Sequence, residues 1–186
     1  MNPNLQVVIA RYNEPIEWAS GFNTVLYNKG SFLEGSIPLE NIGREAHTFL
    51  HHIVTRYDEL AEYTCFVQGN PFDHCPDIKL QLTEFTSTDV LFLGKLHECD
   101  RMGNPHGPGL PVGDIYDRFF TIPKEKFTFY AGAQCIVSRD RILKRPKAFY
   151  EALLKENPSI YPWVYERLWP DIFSDTPILS IQFEAP

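Results

Sequence analysis

The residues most able to do chemistry fall in four short stretches. In Asn41-Ile-Gly-Arg-Glu-Ala-His-Thr-Phe-Leu-His-His-Ile53, a helical repeat of about 100° per residue places Arg44, His47 and His51 within about 60° of one another, off the apolar face. Glu45 and His52 lie together on the opposite flank. His47 and His51 have the i, i+4 spacing that lets two imidazoles share a metal. The residue after the first histidine is Thr48, however, where the zinc-protease pattern needs Glu. A polar flank with two hydrogen-bonded histidines is therefore preferred to a zinc site. Arg44, next to Gly43 at a helix start, suits an anion such as a diphosphate. In Phe66-Val-Gln-Gly-Asn-Pro-Phe-Asp-His74, an apolar strand delivers a turn carrying an amide, a carboxylate and an imidazole. Asp73 and His74 could ligate Mn or Mg, with Asp77 near enough in sequence to join them. An Asx-type turn with a solvated acid is the plain alternative.

In Tyr161-Pro-Trp-Val-Tyr-Glu-Arg-Leu-Trp-Pro170, Glu166 and Arg167 sit inside a strongly aromatic helix. A carboxylate in such surroundings has its charged form disfavoured, which would poise Glu166 as a proton acceptor. Equally, Glu166 and Arg167 could be exposed or paired, with Trp163 and Trp169 in the core. In Tyr130-Ala-Gly-Ala-Gln134, small residues at a strand entrance allow a ligand or another backbone to come close. Gln134 could contact sugar hydroxyls there, although tight packing is the commoner reason for such residues.

These groups need a scaffold, and the apolar pattern supplies one. Strands are expected at Leu5–Ala10, Phe22–Tyr27, Tyr63–Gln68 and Ala133–Val137, with weaker candidates at Val90–Leu93 and Ile178–Phe183. A helix is expected from about Ile42 to Glu59 with Asn41 as its cap, and Ala46, Phe49, Leu50, Ile53 and Tyr57 inward. Further helices should start at Ser138, which can cap its own helix, at Pro146, with Phe149, Ala152 and Leu153 inward and an end before Pro158, and near Pro162. Glu98 to Asp117 holds four Gly and three Pro and reads as one long functional or mobile loop. Alternating strands and helices predict a single α/β domain over residues 1–186, a three-layer α/β/α fold with a mostly parallel sheet. In such folds ligands bind beyond the carboxyl ends of the strands. Those ends carry Arg11-Tyr-Asn-Glu14, Asn28-Lys29, Gln68 to His74, and Ser138-Arg139.

Val7-Val-Ile-Ala-Arg-Tyr-Asn-Glu14, Tyr27-Asn-Lys-Gly30, the Asn41–Ile53 block, Phe66–His74, Gly132-Ala-Gln-Cys-Ile-Val-Ser-Arg139 and Glu166-Arg-Leu-Trp-Pro170 together resemble a domain-of-unknown-function family. The likeness runs from about Val7 to Phe173. That family in turn resembles the GT-A glycosyltransferases, which use nucleotide-sugar donors. The resemblance implies donor contacts at Ala10, Arg11, Tyr12, Asn13, Tyr27, Lys29, Arg44, Gln68 and Arg139, and acceptor contacts at Gly132 and Gln134. It implies a base at Glu166, with Asp73 second. Gly69 to Asp73 occupies the place of the Asp-x-Asp metal motif but contains no such motif. Asp73 and His74 would have to hold any Mn or Mg. Otherwise Lys29, Arg44 or Arg139 would meet the leaving diphosphate.

The expected activity is transfer of a sugar from a UDP- or GDP-linked donor to a glycan hydroxyl, inverting, with a carboxylate base. The Glu98–Asp117 segment would serve as a mobile lid or acceptor-facing wall. The alternatives are a metal-dependent hydrolase built on His47, His51 and Asp73, and a non-catalytic sugar-binding module. Composition narrows the field further. The 186 residues carry 17 Lys+Arg against 24 Asp+Glu, a net charge of −7, with no basic run. A nucleic-acid partner is not expected on that balance. No apolar stretch approaches the roughly 18 residues of a membrane span. Met1-Asn2-Pro3-Asn4 does not look like a signal peptide, and four scattered cysteines without CxxC suit a reducing compartment, so a cytoplasmic protein is expected.

Overall fold

The computed structural model describes residues 2–157 and 162–179. The chain runs β1 (Leu5–Arg11), β2 (Thr24–Asn28), β3 (Ile37–Pro38), α1 (Arg44–Arg56), β4 (Tyr63–Gln68), α2 (Ile78–Glu84), β5 (Val90–Leu93), β6 (Leu96–Asp100), α3 (Val112–Tyr116), β7 (Lys126–Tyr130), β8 (Gln134–Ser138), α4 (Arg139–Leu143), α5 (Lys147–Glu156) and α6 (Pro162–Ile172). Six strands form one sheet in the order β3-β2-β1-β4-β8-β5. The pairs among β3, β2, β1 and β4 are parallel, and β8 runs antiparallel to both β4 and β5. The fold is α/β with a mostly parallel mixed sheet.

The central strands are apolar on both faces, which is why they read as continuous hydrophobic runs rather than alternating ones. Val8, Phe66, Cys135 and Val137 face one core, where they meet Phe49, Leu50 and Ile53 of α1, and α5 and α6. Val7, Ile9, Cys65, Val67 and Ile136 face a smaller core with Ile78 and Leu82 of α2. Helices thus cover both faces. A separate two-stranded ribbon, β6 with β7, packs Phe127 and Phe129 toward the larger core beside α6. No helix among the described residues is long and apolar enough to cross a membrane. The four cysteines are buried free thiols.

Ser138 caps α4 as expected, its hydroxyl accepting the Arg141 N–H at 3.0 Å. Other boundaries differ from the sequence pattern. α1 is capped at Gly43, not Asn41, because Gly43 and Arg44 both take left-handed backbone, with φ of 59° and 50°. The helix proper stops at Arg56, and a 3-10 turn carries the chain on to Glu59. Pro146 precedes α5 as its cap. α5 ends at Glu156 with Asn157 as its C-cap, before Pro158 as expected, whereas most of the strand expected at Ile178–Phe183 lies outside the described residues, although Ile178 itself bridges Phe120.

Glu98–Asp117 is not one loop. It begins inside β6 and ends at the cap that follows α3. Asp100 accepts the backbone N–H groups of Met102 and Asn104, and Arg101 pairs with Asp117 and donates to the Lys124 carbonyl. The glycines and prolines signalled turns correctly, but long-range polar fastening turned the segment into a braced unit. β6, α2 and the two-residue β3 carry too little apolar periodicity to be read from sequence, whereas β7 does alternate, with Phe127 and Phe129 inward, and is a strand the sequence pattern above passes over.

Candidate functional site

The carboxyl ends of β1, β2 and β4 open on a cleft with two joined lobes. The first is a cavity of about 510 Å³ lined by Ala10, Arg11, Tyr12, Glu14, Lys29, Asn41, Arg44, Glu45, Gln68, Asn70 and Asp73. The second, about 320 Å³, lies between α1, the β6–β7 ribbon and α6, and includes His74, His97, His106, Phe129, Trp163, Glu166 and Arg167. Arg44, Glu45 and Gln68 belong to both lobes and form the seam.

Backbone strain gathers here. Arg44 and Ala133 are the non-glycine residues with positive φ among the described residues, at 50° and 57°. Arg44 lies on the seam, and Ala133 closes the turn after Ala131, which lines the second lobe. Such conformations persist only where their surroundings over-determine them. The surroundings of Arg44 are visible: the Lys29 ammonium donates to the carbonyls of Ile42 and Arg44 on either side of the Gly43 turn. Gly43 is required there, since a Cβ would sit 1.9 Å from Asn157 Oδ1. Burial pushes the Lys29 amine down to about 8, opposed by the nearby charge of Glu45. The Arg44 guanidinium lies 5.2 Å from the centre of the Trp163 ring and 3.4 Å from Glu45.

The loop after β1 is held by its own polar groups. Arg11 donates to the Glu14 carbonyl at 2.9 Å and to Asn28 Oδ1 at 2.7 Å. Asn13 Oδ1 accepts from the Ser31 N–H and hydroxyl, which turns Asn13 into a fastener between loops rather than a lining residue. Glu14 accepts the Tyr12 N–H at 2.7 Å and packs over Gly69, where a side chain would collide with it. The first lobe therefore presents three cations, Arg11, Lys29 and Arg44, against three carboxylates, Glu14, Glu45 and Asp73. That balance suits a ligand bearing both anionic oxygens and hydroxyl donors better than a bare polyphosphate.

On the far wall of the second lobe, both oxygens of Glu166 are engaged. One accepts the Gly132 N–H at 2.7 Å, and the other pairs with Arg167. Glu166 therefore sits in a polar clasp, not in the apolar pocket its aromatic helix suggested. Arg167 is almost fully buried. It donates to the carbonyls of Trp163 and His106 at 2.9 Å each and lies 4.2 Å from the centre of the Phe129 ring. Trp163 is half exposed, an aromatic surface at the cleft edge.

Of the residues expected to touch a donor, the cleft gathers Ala10, Arg11, Tyr12, Lys29, Arg44 and Gln68, together with Asp73. Three others are placed elsewhere. Asn13 serves the loops, as above. Tyr27 is buried under α1, with its hydroxyl 3.2 Å from His52 Nδ1, because its side chain points from β2 into the larger core. Arg139 follows an antiparallel strand, so it lies at the opposite end of the sheet, where its N–H donates to the Glu62 carbonyl beside the start of β4. Gln134 is wholly buried and donates to the Pro71 carbonyl, which steadies the loop after β4. Gly132 contributes its N–H to Glu166 and must lack a side chain because His74 packs against it.

The histidine pair of α1 is not in the cleft. His47 and His51 stack 6.1 Å apart, and Tyr27 meets His51 edge-on. Burial, reinforced by Lys29 and then His51, pushes His47 down to about 4; burial, with Arg56 and His51, does the same to His52. His47 and His52 are thus core imidazoles, and the hydrogen-bonded polar flank expected for His47 and His51 is not what forms: His47 is buried and its Nδ1 has no hydrogen-bond partner among the described residues. Asp73 and His74 fall in different lobes, and no group of three or more His, Cys, Asp or Glu among the described residues is arranged to hold a metal.

The family described as "Protein of unknown function (DUF3431)" matches residues 7–103, just over half of the chain. The chain belongs to the DUF3431 family. The matched span carries the first lobe, the seam and the His74 and His97 side of the second lobe. The β7 strand, the Gly132 turn and α6, which supply Glu166, Arg167 and Trp163, lie beyond the DUF3431 match. No curated protein and no solved structure matches the chain.

Sequence reasoning missed Glu45, Asn41 and Asn70 as lining groups, and His97, His106 and Phe129 entirely. Glu45 had a signal, since it adjoins Arg44 at the helix start. The ribbon residues had none, because their place depends on a β-pair between distant segments.

Proposed function

We propose that this DUF3431 protein is a small glycosyltransferase that moves a sugar from a nucleotide-diphosphate donor to a glycan hydroxyl. The observation that carries this reading is the two-lobed cleft itself. The first lobe pairs cations with carboxylates at the carboxyl ends of parallel strands, where nucleotides are held in α/β folds. The second offers an exposed tryptophan and a clasped carboxylate beside it, the kind of surface a pyranose ring stacks on. Lys29, Arg44 and the start of α1 would meet the diphosphate, Tyr12 is exposed at the lobe edge for a base, and Glu166 would take the acceptor proton. Asp73 and His74 do not converge as a ligand set, so no step is assigned to a divalent ion.

Calorimetry with UDP- and GDP-sugars, with and without Mn, tests the donor assignment. One of them is expected to bind, and the absence of binding by all of them overturns the reading. The pH dependence has a definite sign. Lys29 loses its charge as the pH rises through about 8, so diphosphate affinity should fall between pH 7 and 9. A fall of roughly fivefold corresponds to about 1 kcal/mol for one partly exposed charged contact. The Lys29→Met protein should bind more weakly with no such slope. Folding stability moves the other way: the unfolded chain keeps this proton up to the ordinary lysine range, so stability rises as the pH climbs above about 8.

A further inference from the structure

Glu45 is a cleft residue to which the proposed reaction gives no role so far. Its side chain is 10 % exposed and lines both lobes, which places it where a donor sugar and an acceptor hydroxyl would have to meet. Arg44 on its own helix is its ion-pair partner, Lys29 approaches from the end of β2, and the charge of Glu166 reaches it from α6. The other titratable groups sharing the cleft are Arg11 and Glu14 from the β1 end, Asp73 and His74 from the loop after β4, and His97 and His106 across the second lobe. Burial pushes the Glu45 carboxyl up and Glu166 adds to that, against the opposing pull of its own backbone N–H and of Arg44. Two carboxyls thus face one reaction space in unlike settings: Glu166 has its two oxygens held by Gly132 and Arg167, whereas Glu45 is the more desolvated of the two, with Arg44 and its own backbone N–H as partners and Lys29 nearby. Pairs set apart in this way are how one site runs acid and base chemistry together.

We propose that Glu45 is the acid of the reaction, giving its proton to the oxygen that joins the donor sugar to the leaving diphosphate, while Glu166 takes the proton of the acceptor hydroxyl. This rests on the transferase reading. The bond from the anomeric carbon to the phosphate oxygen breaks, its electron pair stays on that oxygen, and the oxygen receives the Glu45 proton. The acceptor oxygen forms the new bond to the anomeric carbon as its own proton passes to Glu166. One proton returned from Glu166 to Glu45 resets the pair. Protonating the leaving group supplies stabilisation that a metal gives in enzymes with a gathered ligand set.

The test compares wild type, Glu45→Gln and Glu166→Gln with two donors: a nucleotide-diphosphate sugar and the matching glycosyl fluoride, whose leaving group needs no strong acid. For Glu45→Gln, turnover of the nucleotide donor is expected to fall about 100-fold and the alkaline limb of its pH profile to vanish. Turnover of the fluoride should fall far less than turnover of the nucleotide donor, if leaving-group protonation is what is lost. Glu166→Gln should impair both donors. Retention of the rate and the alkaline limb by Glu45→Gln overturns the acid role and leaves the transferase reading standing, as does an equal loss with both donors. Failure of every nucleotide sugar to bind wild type overturns the transferase reading and the acid role with it. A carboxyl titration of Glu45 by carbon NMR gives a readout independent of turnover. It should titrate above ordinary glutamates and move down in Glu166→Gln, and a Glu45 carboxyl indifferent to Glu166 overturns the pairing.

Discussion

The Arg167→Met protein is expected to lose about 3–5 kcal/mol of unfolding free energy, the cost of leaving one member of a buried ion pair without its partner. Arg167 has 4 % of its side chain exposed and Glu166 has 14 %. Methionine fills much of the same volume and keeps a soft contact with the Phe129 ring. It restores none of the polar contacts, so the Glu166 oxygen and the carbonyls of Trp163 and His106 all lose a donor. The last of these ties the segment after β6 to α6, so the wall of the second lobe should loosen with the helix. Urea unfolding followed by tryptophan fluorescence measures the loss. The double substitution Arg167→Met with Glu166→Gln should recover a substantial part of it, because the stranded charge is then gone. A single-variant loss below about 1 kcal/mol, in the range of an exposed pair, would mean that Arg167 does not hold this lobe.

That clasp also shows where sequence reading reached its limit. Glu166 and Arg167 were legible as residues of interest because two charged groups stood in an aromatic helix. Their pairing was left open, since it is decided by the Gly132 turn and the His106 carbonyl, which come from distant segments. The first lobe was far more legible. Ala10, Arg11, Tyr12, Lys29, Arg44, Gln68 and Asp73 follow strands whose apolar runs are unmistakable, and parallel strands deliver their carboxyl ends to one edge. The same rule misplaced Arg139, because nothing in Ala133–Val137 reveals that β8 runs the other way. Reversal instead brings the amino end of β8 to the cleft, so that Gly132 reaches Glu166 and Gln134 holds the Pro71 carbonyl. Tyr27 was misplaced for a smaller reason: alternation along β2 turns one side chain to the core for each one it turns away. Strand direction and facing are set by tertiary pairing, and local composition is silent on both.

Glu166→Gln should lower turnover about 100- to 10,000-fold, the range for removing a positioned general base. The substitution changes no shape, but it cannot keep the clasp whole. A carboxylate accepts from the Gly132 N–H and the Arg167 guanidinium at once, whereas an amide has one accepting oxygen and turns an NH2 group toward the other donor. A stability loss of about 3–5 kcal/mol is therefore expected alongside the kinetic one, because the amide leaves the buried Arg167 guanidinium without its carboxylate. The two effects separate by where they appear. Nucleotide-diphosphate binding belongs to the first lobe, which Glu166 does not line, so its affinity should stay within about threefold if the fold is intact. The loss should sit in kcat with little change in the donor KM, because the base acts on the acceptor proton only as the new bond forms. Glu166→Asp keeps a carboxylate but shortens its reach, and should recover part of the rate. If Glu166→Gln transfers sugar at the wild-type rate while binding donor normally, the acceptor proton leaves by another route, and the clasp serves only to fasten α6 to the turn before β8.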